Sequence, residues 1–98
     1  MKDRRSGKRV NVNLKAIMHN GDEVARARIS NISKGDLFLW TQFPDLRPGT
    51  DIEIDIDGEN VGVFGVTGYV VRRCPLGLAV EIKDADKSLD RLIERRIR

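Results

Sequence analysis

Apolar and polar residues alternate along most of the chain with the two-residue period of strands that bury one face. Val10, Val12, Leu14, Ala16 and Met18 interleave with Asn11, Asn13 and Lys15. Asn20-Gly21 follows, a favoured pair for a type I′ hairpin turn. A second strand is expected over residues 24–32, with Ala25, Ala27 and Ile29 on one face and Arg26 and Arg28 on the other. After a turn at Lys34, Gly35 and Asp36, residues 37–41 make a short apolar third strand, whose Phe38 and Trp40 are assigned to opposite faces. Residues 42–50, with Pro44, Pro48 and Gly49, form the longest loop. Residues 51–57 alternate isoleucine and carboxylate most clearly, and Asp57-Gly58 marks the next turn. Residues 61–73 read as a long, bent fifth strand, and Pro75 and Gly77 turn the chain into a sixth over residues 78–82.

Beyond the sixth strand the period becomes helical: Leu89, Leu92, Ile93 and Ile97 stand at i, i+3, i+4 and i+8. Asp84 and Asp86 are placed to cap the N-terminus of that helix, and Arg95, Arg96 and Arg98 suit its C-terminal end. Six short strands and one helix predict an all-β fold, a six-stranded antiparallel barrel with a C-terminal α-helix, because closure removes the edges of an open sheet this small. The 98 residues make one domain: an arm over 1–9, a barrel over 10–83 and a helix over 84–98.

Charge changes the picture at the ends. Residues 1–9 carry five Lys or Arg against one Asp, residues 91–98 carry four Arg against one Glu, and the interval between carries nine against thirteen. The net charge of +3 is thus an acidic body with two basic tips, which argues against DNA or RNA, whose binding needs a broad basic face. Five aromatic residues also give little stacking platform for single-stranded RNA. Neither a membrane span nor a secretory leader is evident, and the one cysteine, Cys74, suits a reducing compartment, so a cytoplasmic protein is expected. The carboxylates of residues 51–57 stand about 7 Å apart along one strand face, too far to share a metal ion. His19, the sole histidine, reads as a turn residue. With no acid, base and nucleophile set, an enzyme is not expected.

The basic tip contains Asp3-Arg4-Arg5-Ser6-Gly7-Lys8-Arg9, in which Arg5 and Arg9 form Arg-x-x-x-Arg. After residues 10–30 comes Asn31-Ile32-Ser33-Lys34-Gly35. In these two motifs, their order and their separation, the chain resembles the PilZ family, bacterial domains that bind the second messenger cyclic di-GMP. That family carries Arg-x-x-x-Arg ahead of its first strand and Asp/Asn-x-Ser-x-x-Gly at the end of its second. Gly77-Leu78-Ala79-Val80-Glu81-Ile82 also looks like the family's late glycine-containing strand. The resemblance spans nearly the whole chain. It implies Arg4, Arg5, Arg9, Asn31, Ser33, Gly35 and Asp36 as the ligand-binding set, no cofactor beyond the ligand, an effector protein as partner, and no membrane insertion.

The residue types suit such a ligand. A guanidinium pairs bidentately with phosphate oxygens or with guanine O6 and N7, and its plane stacks on a purine. Asn31 and Ser33, two apart on a strand, are expected to offer an amide and a hydroxyl to the same side, and Gly35 to allow close backbone approach. One position departs: the third residue after the serine is Asp36, not glycine. Either Asp36 adopts the positive φ that aspartate tolerates and the turn is kept, or its carboxylate fills ligand space and repels phosphate. The first reading gives a cyclic di-GMP receptor, the second an adaptor that binds only protein.

Overall fold

The computed structural model describes residues 9–41 and 46–97. Its strands are β1 (Val10–Asn20), β2 (Glu23–Ile32), β3 (Asp36–Trp40), β4 (Asp51–Asp57), β5 (Val63–Cys74) and β6 (Gly77–Ala85), followed by α1 (Ser88–Ile97). They close into an antiparallel barrel in the order β1-β2-β3-β6-β5-β4, with β4 returning to β1. The alternation read from the sequence becomes inside and outside: Leu14, Ala16 and Met18 of β1 and Ile52, Ile54 and Ile56 of β4 point into the core.

Four local expectations are corrected. The first hairpin pairs Asn20 with Glu23, so Gly21 and Asp22 turn the corner, with Gly21 at φ 63°; glycine in the first corner position is the type II′ pattern. Residue 61 belongs to a short 3-10 turn, Glu59–Val61, and β5 starts at Val63. The last strand runs beyond residue 82 because the long β5 still offers partners, Thr67 to Asp84 and Val66 to Ala85, so α1 starts at Ser88 rather than 84. Phe38 and Trp40 share one face, since residues two apart in a strand must; Leu37 and Leu39 supply the buried face of β3.

Gly77 shows how tightly the strands pack. A Cβ there would sit 2.0 Å from the Leu39 carbonyl oxygen, which belongs to backbone and cannot swing away.

Helix α1 lies across the end of the barrel that holds the β2–β3 turn and the β4–β5 link, with Lys34 3.8 Å from Asp90 and Arg96 3.2 Å from Glu59. Leu89, Leu92 and Ile93 are buried beneath it. Each such side chain contributes about 1.5–3 kcal/mol, whereas exposed ion pairs contribute at most about 1 kcal/mol, so apolar burial holds the helix down. Its start is set by Asp86, whose carboxylate accepts the Ser88 N–H at 2.8 Å. That hydrogen bond holds the Asp86 carboxyl below the usual aspartate value. Asp84, the other expected cap, lies in β6.

Two outcomes are expected. Gly77→Ala should lower the unfolding free energy by about 1–3 kcal/mol in urea melts, the cost of overpacking. A folded-state pKa held low gives stability that is present above the unfolded value and lost as pH falls through the folded one. Asp86→Ala should therefore lower the melting temperature at neutral pH, and the gap to the parent should close in acid.

Candidate functional site

The site follows from the β1–β2 register. Val10 pairs with Ile32 and Asn11 with Asn31, so the residue entering β1 meets the residues leaving β2. Arg9 is thereby brought to Asn31, 22 positions away in the chain, and to Asp36 of the β2–β3 turn, 27 away.

That turn is built around one hydroxyl. The Ser33 N–H donates to the Asp36 carbonyl at 2.8 Å, leaving Lys34 and Gly35 at the corner. Ser33 Oγ accepts the N–H groups of Gly35 and Asp36, each at 3.2 Å, and donates to Asp36 Oδ1 at 3.0 Å. One donor and two acceptor sites are all a hydroxyl has, and Ser33 is 8% exposed. The expectation that Ser33 stands beside Asn31 on a strand is corrected here: β2 ends at Ile32, and the Ser33 side chain turns inward to hold the corner. The Gly35 carbonyl accepts the Ile82 N–H at 2.8 Å, which fastens the turn to β6.

Arg9 closes the arrangement from outside. Its Nη1 donates to Asn31 Oδ1 and its Nη2 to Asp36 Oδ1, so both arms of the guanidinium are engaged. The Arg9 and Asp36 side chains remain 49% and 46% exposed. Asp36 begins β3 opposite Glu81 of β6, an unfavourable placement for two carboxylates. Each has its own partner: Arg9 on Asp36, and on Glu81 the Tyr69 hydroxyl, whose pKa is raised chiefly by that hydrogen bond. Tyr69 and Glu81 were not singled out by the sequence; only the β5–β6 register brings them to this row.

Two expectations change in content. Among the described residues the non-glycine position with positive φ is Glu59, so Asp36 does not occupy the left-handed region and the turn does not require it there. Gly35 also lacks positive φ, and a Cβ on it would meet nothing within 4 Å. Neither conformation nor crowding within the protein explains glycine at that corner. Arg4 and Arg5 lie outside the described residues. Among the described residues no three His, Cys, Asp or Glu side chains gather as metal ligands would, and no helix is long and apolar enough to cross a membrane. His19 belongs to β1 and meets Asp55 at 3.0 Å.

A family model described as PilZ domain matches residues 3–98. The chain belongs to the PilZ domain family. It is thus a member of a group of binding and adaptor domains related to cyclic di-GMP. Among solved structures, Bacillus subtilis inhibitor of motility (MotI/DgrA) matches this PilZ domain with a TM-score of 0.78 at 18% identity. The match covers 98% of this chain and 50% of that one, so the domain spans half the neighbour's length, and the likeness is one of fold. No curated protein matches the sequence. Against the PilZ pattern, Asp36 in place of the motif glycine is the position with a visible consequence, because its carboxylate takes Nη2 of Arg9.

The two motif side chains differ in what their removal costs. Ser33→Ala removes a buried hydroxyl that accepts two backbone N–H groups and donates to the Asp36 carboxylate, each bond worth about 0.5–1.5 kcal/mol net, and should destabilise by about 1–3 kcal/mol. Arg9→Ala breaks an exposed pair and should cost less than about 1 kcal/mol. Urea melts of the two variants check the order.

Proposed function

We propose that this domain is a receptor for cyclic di-GMP that passes the signal to a partner protein. The observation that supports the reading is the convergence of Arg9, Asn31 and Asp36 on one half-exposed guanidinium. Anchored there by an amide and a carboxylate, Arg9 presents a planar cation to solvent, suited to a phosphate or to the O6/N7 edge and face of a guanine. Gly35 adds an open place beside it where a ligand approaches backbone. Arg5 and Arg4, four and five positions before Arg9 in the sequence, supply further cations. Closing of that arm on the nucleotide alters the surface a partner meets. The chemistry asks for no catalytic group.

The Arg9–Asp36 pair favours a second reading: an adaptor that has lost the nucleotide. Asp36 already holds one arm of Arg9, and a phosphate must displace a carboxylate to take it. The displaced pair is exposed and thus weak, about 1 kcal/mol at most, against charge-assisted bonds to two phosphates; this balance is why the receptor reading stands first.

Isothermal titration of folded protein with cyclic di-GMP separates the two. Binding heat is expected from the parent, none from Arg9→Ala, and nearly unchanged heat from Lys34→Ala, whose side chain faces Asp90. Gly35→Ala should weaken binding about tenfold, or ~1.4 kcal/mol, with no loss of stability. Absence of heat from the parent, together with its appearance in Asp36→Gly, would establish the adaptor instead.

A further inference from the structure

The barrel separates charges that the sequence mixes. The outer face of β4 carries Asp51, Glu53, Asp55 and Asp57. On the opposite side of the ring, three strands from β4 by either route, lies β3. There Trp40 is 48% exposed. The cross-strand row through it reads Lys15 on β1, Arg28 on β2, Trp40 on β3, Gly77 on β6 and Cys74 on β5, and the next row reads Phe38, Ala79 and Arg72. Neither row holds a carboxylate. Gly77 gives the indole a cross-strand neighbour with no side chain.

Apolar surface continues from Trp40 around this end of the barrel. The Thr41 N–H donates to the Leu76 carbonyl at 3.3 Å, which brings the β5–β6 turn alongside, and Leu76 is 60% exposed. Val71, at the bulge of β5, is 48% exposed. On the other flank Thr41 Oγ1 donates to the Arg26 carbonyl at 3.5 Å, placing Arg26 and Arg28 beside the aromatic. Arg28 is steadied by Asn13 Oδ1 at 2.9 Å. Tryptophan and arginine around exposed aliphatic residues are the composition of an interface hot spot.

We infer that the Trp40–Leu76 face, flanked on its β1–β2 side by Arg26, Arg28 and Lys15, docks a partner protein through a surface that sets acidic residues beside an apolar side chain. Charge decides the partner's sign, because a basic rim attracts carboxylates and rejects cations. Chemistry decides its class: single-stranded nucleic acid stacks on a run of exposed aromatics, whereas this face sets one exposed indole and the half-buried Phe38 among aliphatic residues, Leu76 alongside Trp40 and Val71 beyond β6, level with Phe38. The inference is independent of nucleotide binding. The two surfaces nevertheless share a strand, since Asp36, Phe38 and Trp40 are alternate residues on one face of β3, and Asp36 and Trp40 stand about 14 Å apart at 3.4 Å per residue.

A photo-crosslinking amino acid at Leu76 in the full chain, activated in the native cells, tests it. Expected is a crosslink to a different protein, mapped to a peptide rich in Asp and Glu. It should disappear with Trp40→Ala and fall about tenfold with Arg26→Glu/Arg28→Glu, both variants keeping the parent's melting temperature. Crosslinking to RNA, to residues 51–57 of a second copy or to no macromolecule overturns the inference. So does a yield indifferent to the substitutions.

Discussion

The pairing of Val10 with Ile32 is the constraint on which the site depends. β1 is bonded to β2 along its length and to β4 over residues 16–19, so the register of its middle is fixed from both edges, and an irregularity between Asn11 and Leu14 offsets its start by one residue to set Val10 opposite Ile32. A slip of one residue would turn Leu14, Ala16 and Met18 out to solvent and bring Lys15 into the core. Because the register cannot drift, Arg9 enters β1 beside the end of β2. A flexible arginine is thereby held to a defined turn by burial elsewhere, with no strong bond of its own.

The same division of labour runs through the turn. Ser33 spends its whole hydrogen-bonding capacity on the corner, so its role is to shape the site rather than to offer a free hydroxyl. Arg9, Asn31 and Asp36 carry the exposed chemistry, and they cost little to rearrange because the pair is half in water. A rigid corner beneath a weakly held guanidinium suits a binding site that must exchange an internal anion for an external one. α1 crosses this same end of the barrel, from Lys34 to the β4–β5 link, so a change at the turn has a neighbouring helix to act on.

Strand existence and facing were legible because apolar and polar residues alternate without exception in β4, as isoleucine and carboxylate, and nearly so in β1. Boundaries were less so: β6 is three residues longer at its end than its apolar pattern, because pairing with β5 continues through polar Asp84. The hairpin turn was misplaced by one residue because Asn20-Gly21 and Gly21-Asp22 are both good turn pairs, and the choice between them rests on register with β4 as well as β2. The convergence of Arg9 and Asn31 was implied by the family resemblance that the two motifs carry. The inward turn of Ser33 was not, since strand alternation was carried one residue too far. Nor was the segregation of charge around the ring, because a count along the chain averages over faces that only the closed topology separates.

The central claim is that cyclic di-GMP meets this protein at the junction of Arg9 with the β2–β3 turn. Amide chemical shifts of isotope-labelled protein, followed through a titration with cyclic di-GMP, address it most directly. The account predicts the largest changes at Arg9, Asn31, Ser33, Gly35 and Asp36, with the β5–β6 turn around Leu76 unaffected. Saturable changes centred on that turn or on β4, with Arg9 and Gly35 unmoved, would contradict it.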